Sequence, residues 1–157
     1  MSNRVKRFLI GSASLIVLLF LLFIRIPVIE LAGNSTTYFI QEEEMVLGWI
    51  HSIEKEEWFE TYKREKQNLV LTETHFKTYG AGTPYQAVET ETEDGFIQMK
   101  MDLVYEKLNI TVSENVQTTI FFEDREVPLY RYFDQYETVT IKTTNLPIWE
   151  YVRGEFL

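Results

Sequence analysis

The chain contains no cysteine. That excludes disulfides, thiolate metal sites and thiol catalysis, and with them lipoprotein processing, which needs a cysteine at the cleaved bond. An exported domain built this way depends on its apolar core alone. Histidine is scarce as well: only His51 and His75 occur, and no H-x-H or H-E-x-x-H spacing surrounds them. Positive charge is thin beyond the first 25 residues, where 11 basic residues face 24 acidic ones, a net charge of −13. A domain this acidic does not seek nucleic acid or an anionic bilayer surface, because phosphate binding relies on Lys and Arg. No helical stripe is found past the N-terminal region, and no internal repeat or low-complexity tract occurs. No cofactor-binding fingerprint is present.

The residues that are abundant divide the chain in two. Arg4, Lys6 and Arg7 precede an apolar run over 8–24, 17 residues interrupted only by Gly11, Ser12 and Ser14. Continued past Arg25 through Ile26, Pro27, Val28 and Ile29, the run is long enough for a hydrocarbon core about 30 Å thick, with the arginine snorkelling to the headgroups. Cleavage after Ala32 would place Glu30 at the −3 position, a poor fit to a signal peptidase site. Residues 1–31 therefore read as an uncleaved signal anchor in the cell membrane. Its basic flank lies in the cytoplasm and the rest of the chain outside. Residues 32–37 read as a tether and 38–157 as an extracytoplasmic domain.

That domain reads as strand almost throughout. Residues 38–40 begin a strand that the acidic run 41–44 breaks. Candidates at 45–55, 58–64 and 69–77 follow, with 65–68 a link of hairpin length. A glycine- and proline-marked turn covers 79–85, and 90–95 is an acidic loop closed by Asp94-Gly95. Phe96, Gln98 and Lys100 then alternate with Ile97, Met99 and Met101. Further strands are expected over 109–113, 118–123, 127–133, 138–144 and 148–152, with Pro128 at an edge or a strand start. The fold class is all-β, an antiparallel sandwich or barrel of roughly nine strands.

Two segments carry the candidate chemistry: 49–58, which holds Trp49, His51 and Trp58, and 75–84, which holds His75 and the Gly80-Ala81-Gly82 turn. In an extended 45–55, Leu47, Trp49, His51 and Ile53 share one face. His51 then points away from Ser52, and the adjacent pair forms no nucleophile–base dyad. The plain reading of His51 is a half-buried imidazole hydrogen-bonded to backbone or a carboxylate; the functional one is a ligand-contacting or pH-sensing group. Glu54, Lys55, Glu56 and Glu57 are most simply a solvated turn. Gly80-Ala81-Gly82 is followed by Thr83-Pro84-Tyr85 rather than by a helix, so it reads as a tight turn and not as a phosphate loop.

Taken together, Gly48 through Trp58 with Leu69 through Thr74 and Phe76 through Pro84 resemble a bacterial family catalogued as domain of unknown function 1850. The His51-Ser52-x-Glu54-Lys55 step followed by the Gly-Ala-Gly turn is the most specific part. The resemblance implies a small exported or anchored protein encoded beside tripartite (TRAP) transporters of the TAXI class, and hence an accessory role in uptake. It carries no catalytic residues. The expected function is a non-enzymatic, membrane-anchored binding or adaptor domain, partnered by a TAXI-type solute-binding protein, the TRAP permease or a small ligand. Its surface would comprise Trp49, His51, Ser52, Glu54, Lys55, Trp58, Tyr79, Gly80, Ala81, Gly82 and Thr83. The alternative is an exported hydrolytic or metal-dependent enzyme using His51, His75 and nearby carboxylates.

Overall fold

Met99 and Met101 are buried and Lys100 exposed, as the alternation along that segment requires. The same period-two logic organises most of the chain. The structure, a computed structural model, describes residues 11, 12, 19–80 and 82–157. Its strands are β1 (Arg25–Ala32), β2 (Thr37–Ile40), β3 (Glu44–Ile50), β4 (Glu57–Glu65), β5 (Asn68–Phe76), β6 (Glu89–Glu93), β7 (Phe96–Tyr105), β8 (Lys107–Thr111), β9 (Thr119–Phe121), β10 (Glu126–Pro128) and β11 (Thr138–Pro147). They form a four-stranded sheet, β2-β1-β11-β8, and a seven-stranded one, β10-β9-β3-β4-β5-β7-β6. Neither closes into a barrel. One core serves both sheets: Ile29, Leu31, Val139 and Ile141 from the smaller, Leu47, Trp58, Leu69 and Phe76 from the larger. The fold is all-β, as expected, and of the sandwich kind.

Two compact units are distinguished. The larger is Val28–Thr144 with Glu155–Leu157 and contains nearly all of both sheets. The smaller comprises the described residues up to Pro27 with Asn145–Gly154. Within it, a one-turn helix α1 (Ile148–Tyr151) presents Trp149, whose ring lies 5.5 Å beneath the Arg25 guanidinium.

From Arg25 onward several expectations are corrected. Most of the proposed anchor, residues 1–10 and 13–18, lies outside the described residues. No helix among the described residues is long and apolar enough to cross a membrane. The extension of the span through Ile26, Pro27, Val28 and Ile29 is instead β1, where Val28, Ile29 and Leu31 are completely buried. β-branched residues around a proline favour extended chain over helix. The segment 32–37, read as a tether, joins β1 to β2: Gly33 N–H donates to the Thr36 carbonyl at 2.9 Å, and Leu31 pairs with Tyr38. The β-structure thus begins at Arg25 rather than at residue 38.

The acidic stretch before Asp94-Gly95 is a strand too. β6 has no buried residue and is held by its pairing with β7, from Glu89↔Lys100 to Glu93↔Phe96. Asp94 and Gly95 do make the turn, with φ of 49° and 81°. Strand 127–133 shortens to β10 followed by a 3-10 turn over Leu129–Arg131, and 148–152 is helix rather than strand. Pro128 sits at the end of an edge strand, where its missing N–H costs no ladder bond.

Candidate functional site

Strand pairing brings the two motif segments to one end of the seven-stranded sheet. Trp49 pairs with Trp58, Trp58 with Phe76 and Phe76 with Ile97, so one transverse row of large side chains crosses four strands. Their rings stack: Trp49 on Trp58 with centroids 5.9 Å apart, and Trp58 on Phe76 at 4.6 Å. Tyr79 meets Phe76 edge-on at 5.5 Å. A bulge in β5 after Leu71 makes the row possible, because it switches the alternation so that Leu69, Leu71, Thr74 and Phe76 are all buried.

β3 ends at Ile50, earlier than the sequence implies, and His51 opens the turn to β4. The His51 N–H donates to the Glu56 carbonyl at 2.8 Å, and the Lys55 N–H to the His51 carbonyl at 2.9 Å. Lys55 takes the left-handed conformation, φ 59°. His51 packs on the Trp58 ring at 5.7 Å, and its Nδ1 contacts the Glu54 carboxyl. Ser52, Ile53 and Lys55 are exposed, so Ile53 does not continue the Trp49 face.

The second segment clasps this turn. Lys77 Nζ lies 2.9 Å from Glu57 Oε2, and the Thr78 hydroxyl donates to Glu56. Gly80 abuts the Glu54 carboxyl, Thr83 closes the turn by accepting from Gly80 N–H at 3.0 Å, and Gly82 has φ 87°. The two glycines thus serve different needs: Gly80 gives close approach, Gly82 a left-handed backbone. Ala81 lies outside the described residues. The cleft among His51, Glu54, Trp58 and Thr78 has about 10 Å³, room for at most about one water.

His51 and His75 are not brought together. His51 stacks on Trp58, whereas His75 pairs with Phe59, so it belongs to the opposite face of the sheet. There Nε2 lies 3.2 Å from Glu73 Oε2. Among the described residues no group of three or more His, Asp or Glu side chains is placed to hold a metal ion.

Two features lie outside the two motif segments. The first is a groove of about 840 Å³ on the outer face of the seven-stranded sheet. Phe59, Phe121 and Phe122 line it together with Glu42, Glu43, Glu44, Glu123 and Asp124. Arg125 anchors one side, 2.5 Å from Glu42 and stacked 4.1 Å over Phe122. The Glu42 hydrogen bond pushes the Arg125 pKa up. The signal for such a face is an adjacent pair of aromatics, Trp58-Phe59 and Phe121-Phe122, since neighbours on a strand face opposite ways.

The second is Glu60, on the core side of β4 between Trp58 and Tyr62. It pairs with Leu47 on one strand and Thr74 on the other, and accepts from the Tyr62 hydroxyl at 2.5 Å. Burial raises the Glu60 pKa above its ordinary value, against the lowering effect of that hydrogen bond. Burial and the neighbouring Glu60 carboxyl in turn push the Tyr62 phenol upward. The alternation Trp58-x-Glu60-x-Tyr62 is the signal that could have located this carboxyl.

Comparison with known proteins identifies a family. The model of the family described as domain of unknown function (DUF1850) matches residues 45–129, more than half of the chain and both motif segments. No curated protein and no solved structure matches.

Proposed function

The chain belongs to the DUF1850 family, and from that premise we propose that it is a non-enzymatic, membrane-anchored adaptor domain that docks a component of a solute transporter outside the cell membrane. The observation that carries this reading is the outer groove, where the partly exposed Phe59 and Phe121 rings lie beneath a rim of five carboxylates. Two of these, Glu42 and Asp124, pair with Arg125. An uncovered apolar floor with an acidic rim fits a partner segment that is apolar and basic. In this reading the His51 turn is not a reaction centre: its imidazole is engaged by Glu54 and Trp58 in a cleft without room for substrate. The N-terminal apolar run and its basic flank, Arg4, Lys6 and Arg7, support the anchored, external placement. The family resemblance supplies the partner class, a TAXI-type solute-binding protein or the TRAP permease.

The test is a crosslinking pull-down of the full-length protein from native membranes, with captured proteins identified by mass spectrometry. Wild type should recover a transporter component, Phe121→Arg should lose it, and His51→Ala should retain it. Equal recovery by Phe121→Arg would move docking away from the groove. Absence of any transporter component from the wild-type sample would remove the adaptor reading.

A further inference from the structure

On the other side of the same sheet, a cavity of about 330 Å³ opens between β3 and β4 on one wall and β8 on the other. β8 is the edge strand of the smaller sheet, so the cavity is reached from the sandwich's open side. Leu108, Ile110 and Val116 give it an apolar wall, and Trp49 lines the wall opposite. Its polar feature on β4 is Glu60 with the Tyr62 hydroxyl attached. Trp49 and Glu60 are diagonal neighbours on adjacent strands, because Leu47 pairs with Glu60 and Trp49 with Trp58.

A carboxyl in such a place is a liability to the fold unless something uses it. An ionised carboxylate taken from water into apolar surroundings is strongly destabilised, and the Tyr62 hydroxyl with the Trp58 indole N–H beside it satisfies only part of its accepting capacity. An apolar residue would fill the space at lower cost. The partner that offsets the cost is a cation, and the indole beside it attracts cations through its ring face. Carboxylate, aromatic face and apolar wall together describe a receptor for an amine carrying a hydrocarbon body. The volume suits a molecule of small-metabolite size.

We propose that this cavity binds a small organic ammonium ion, with its charged head on the Glu60 carboxylate beside Trp49 and its apolar body against Leu108 and Ile110. The site lies on the opposite face of the sheet from the docking groove and does not depend on it. Below the raised Glu60 pKa, binding exchanges the carboxyl's proton for the ligand's charge, with the Tyr62 and Tyr105 phenols the titratable groups beside it. Affinity therefore rises with pH, up to about tenfold per unit, until Glu60 is ionised in the free protein.

Isothermal titration of the full-length protein tests this with phenethylammonium against 2-phenylethanol, a neutral molecule of nearly the same size. The ammonium should bind about tenfold more tightly than the alcohol, or better. Glu60→Gln should abolish that preference and the pH dependence, and Ile110→Trp, which fills the cavity from the other wall, should abolish binding while leaving Glu60 in place. Equal affinity for amine and alcohol would overturn the proposal, as would undiminished, pH-dependent amine binding by Glu60→Gln. Failure of phenethylammonium, butylammonium and tetramethylammonium alike to bind the wild type would also overturn it.

Discussion

Gly80 and Glu54 lie against each other so closely that a Cβ on residue 80 would approach the Glu54 carboxyl carbon to 2.7 Å. Glu54 has little freedom to retreat, since His51 holds its other side. The glycine of the second motif segment is therefore matched to the glutamate of the first.

Gly80→Ala should cost about 1 kcal/mol in chemical denaturation, by displacing Glu54 from His51. Gly82→Ala should cost a similar amount for a different reason, the left-handed backbone at φ 87°. The two are separated by NMR of the His51 ring: its signals shift in the first variant and stay in place in the second. Unmoved His51 signals in Gly80→Ala would break the proposed link.

Glu60 makes stability depend on pH. Its pKa is raised in the folded protein, so the folded state holds this proton more tightly than the unfolded chain does. The group's contribution is complete below the ordinary carboxylate value of 4.5 and declines as pH rises through the raised one. Glu60→Gln keeps the shape and removes the titration. It should be about 1–2 kcal/mol more stable than wild type at mildly alkaline pH, with the difference vanishing in acid. Thermal melts across that range decide it; a constant difference would mean that Glu60 is not the titrating group.

Glu137 is a buried carboxylate with a structural task. One oxygen accepts from the Asn34 N–H in the β1–β2 turn, and the other from the Asp134 N–H at 2.9 Å. Glu137→Ala should cost about 3 kcal/mol, because both donors lose a charged acceptor. Glu137→Gln, which keeps one carbonyl oxygen, should recover part of the loss in urea denaturation.

Gly48 forms the floor between two rings: a Cβ there would lie 2.7 Å from atoms of both Phe59 and Phe121. Gly48→Ala should therefore destabilise by about 1–3 kcal/mol through overpacking. Differential scanning calorimetry measures the loss. A neutral result would show that the two rings move apart freely.

Much of this architecture was legible because period two is a strong signal wherever one face is buried and the other wet. It located β4, β5, β7 and β11, and Asp94-Gly95 marks a turn, although the residues before it read as loop and not as one arm of a hairpin. β1 was obscured because Ile26 to Ile29 continue an apolar run that starts far upstream, and hydropathy alone does not separate membrane from sheet core. β6 was obscured for the converse reason: Glu89 to Glu93 bury nothing, so only the neighbouring strand makes them extended. Residues 127–133 and 148–152 contain the aromatic and β-branched side chains of strands, yet tertiary packing turned parts of them into helical turns. The meeting of the two motif segments was foreseen; Glu60 was not, because a glutamate reads as solvent-facing until its strand partners are known.

β6 ends the seven-stranded sheet, and its sequence is Glu-Thr-Glu-Thr-Glu with every side chain exposed. An open strand edge invites another strand to add to it. A second copy arriving here would bring carboxylates alongside carboxylates. This edge of the sheet is thus guarded by charge against strand addition.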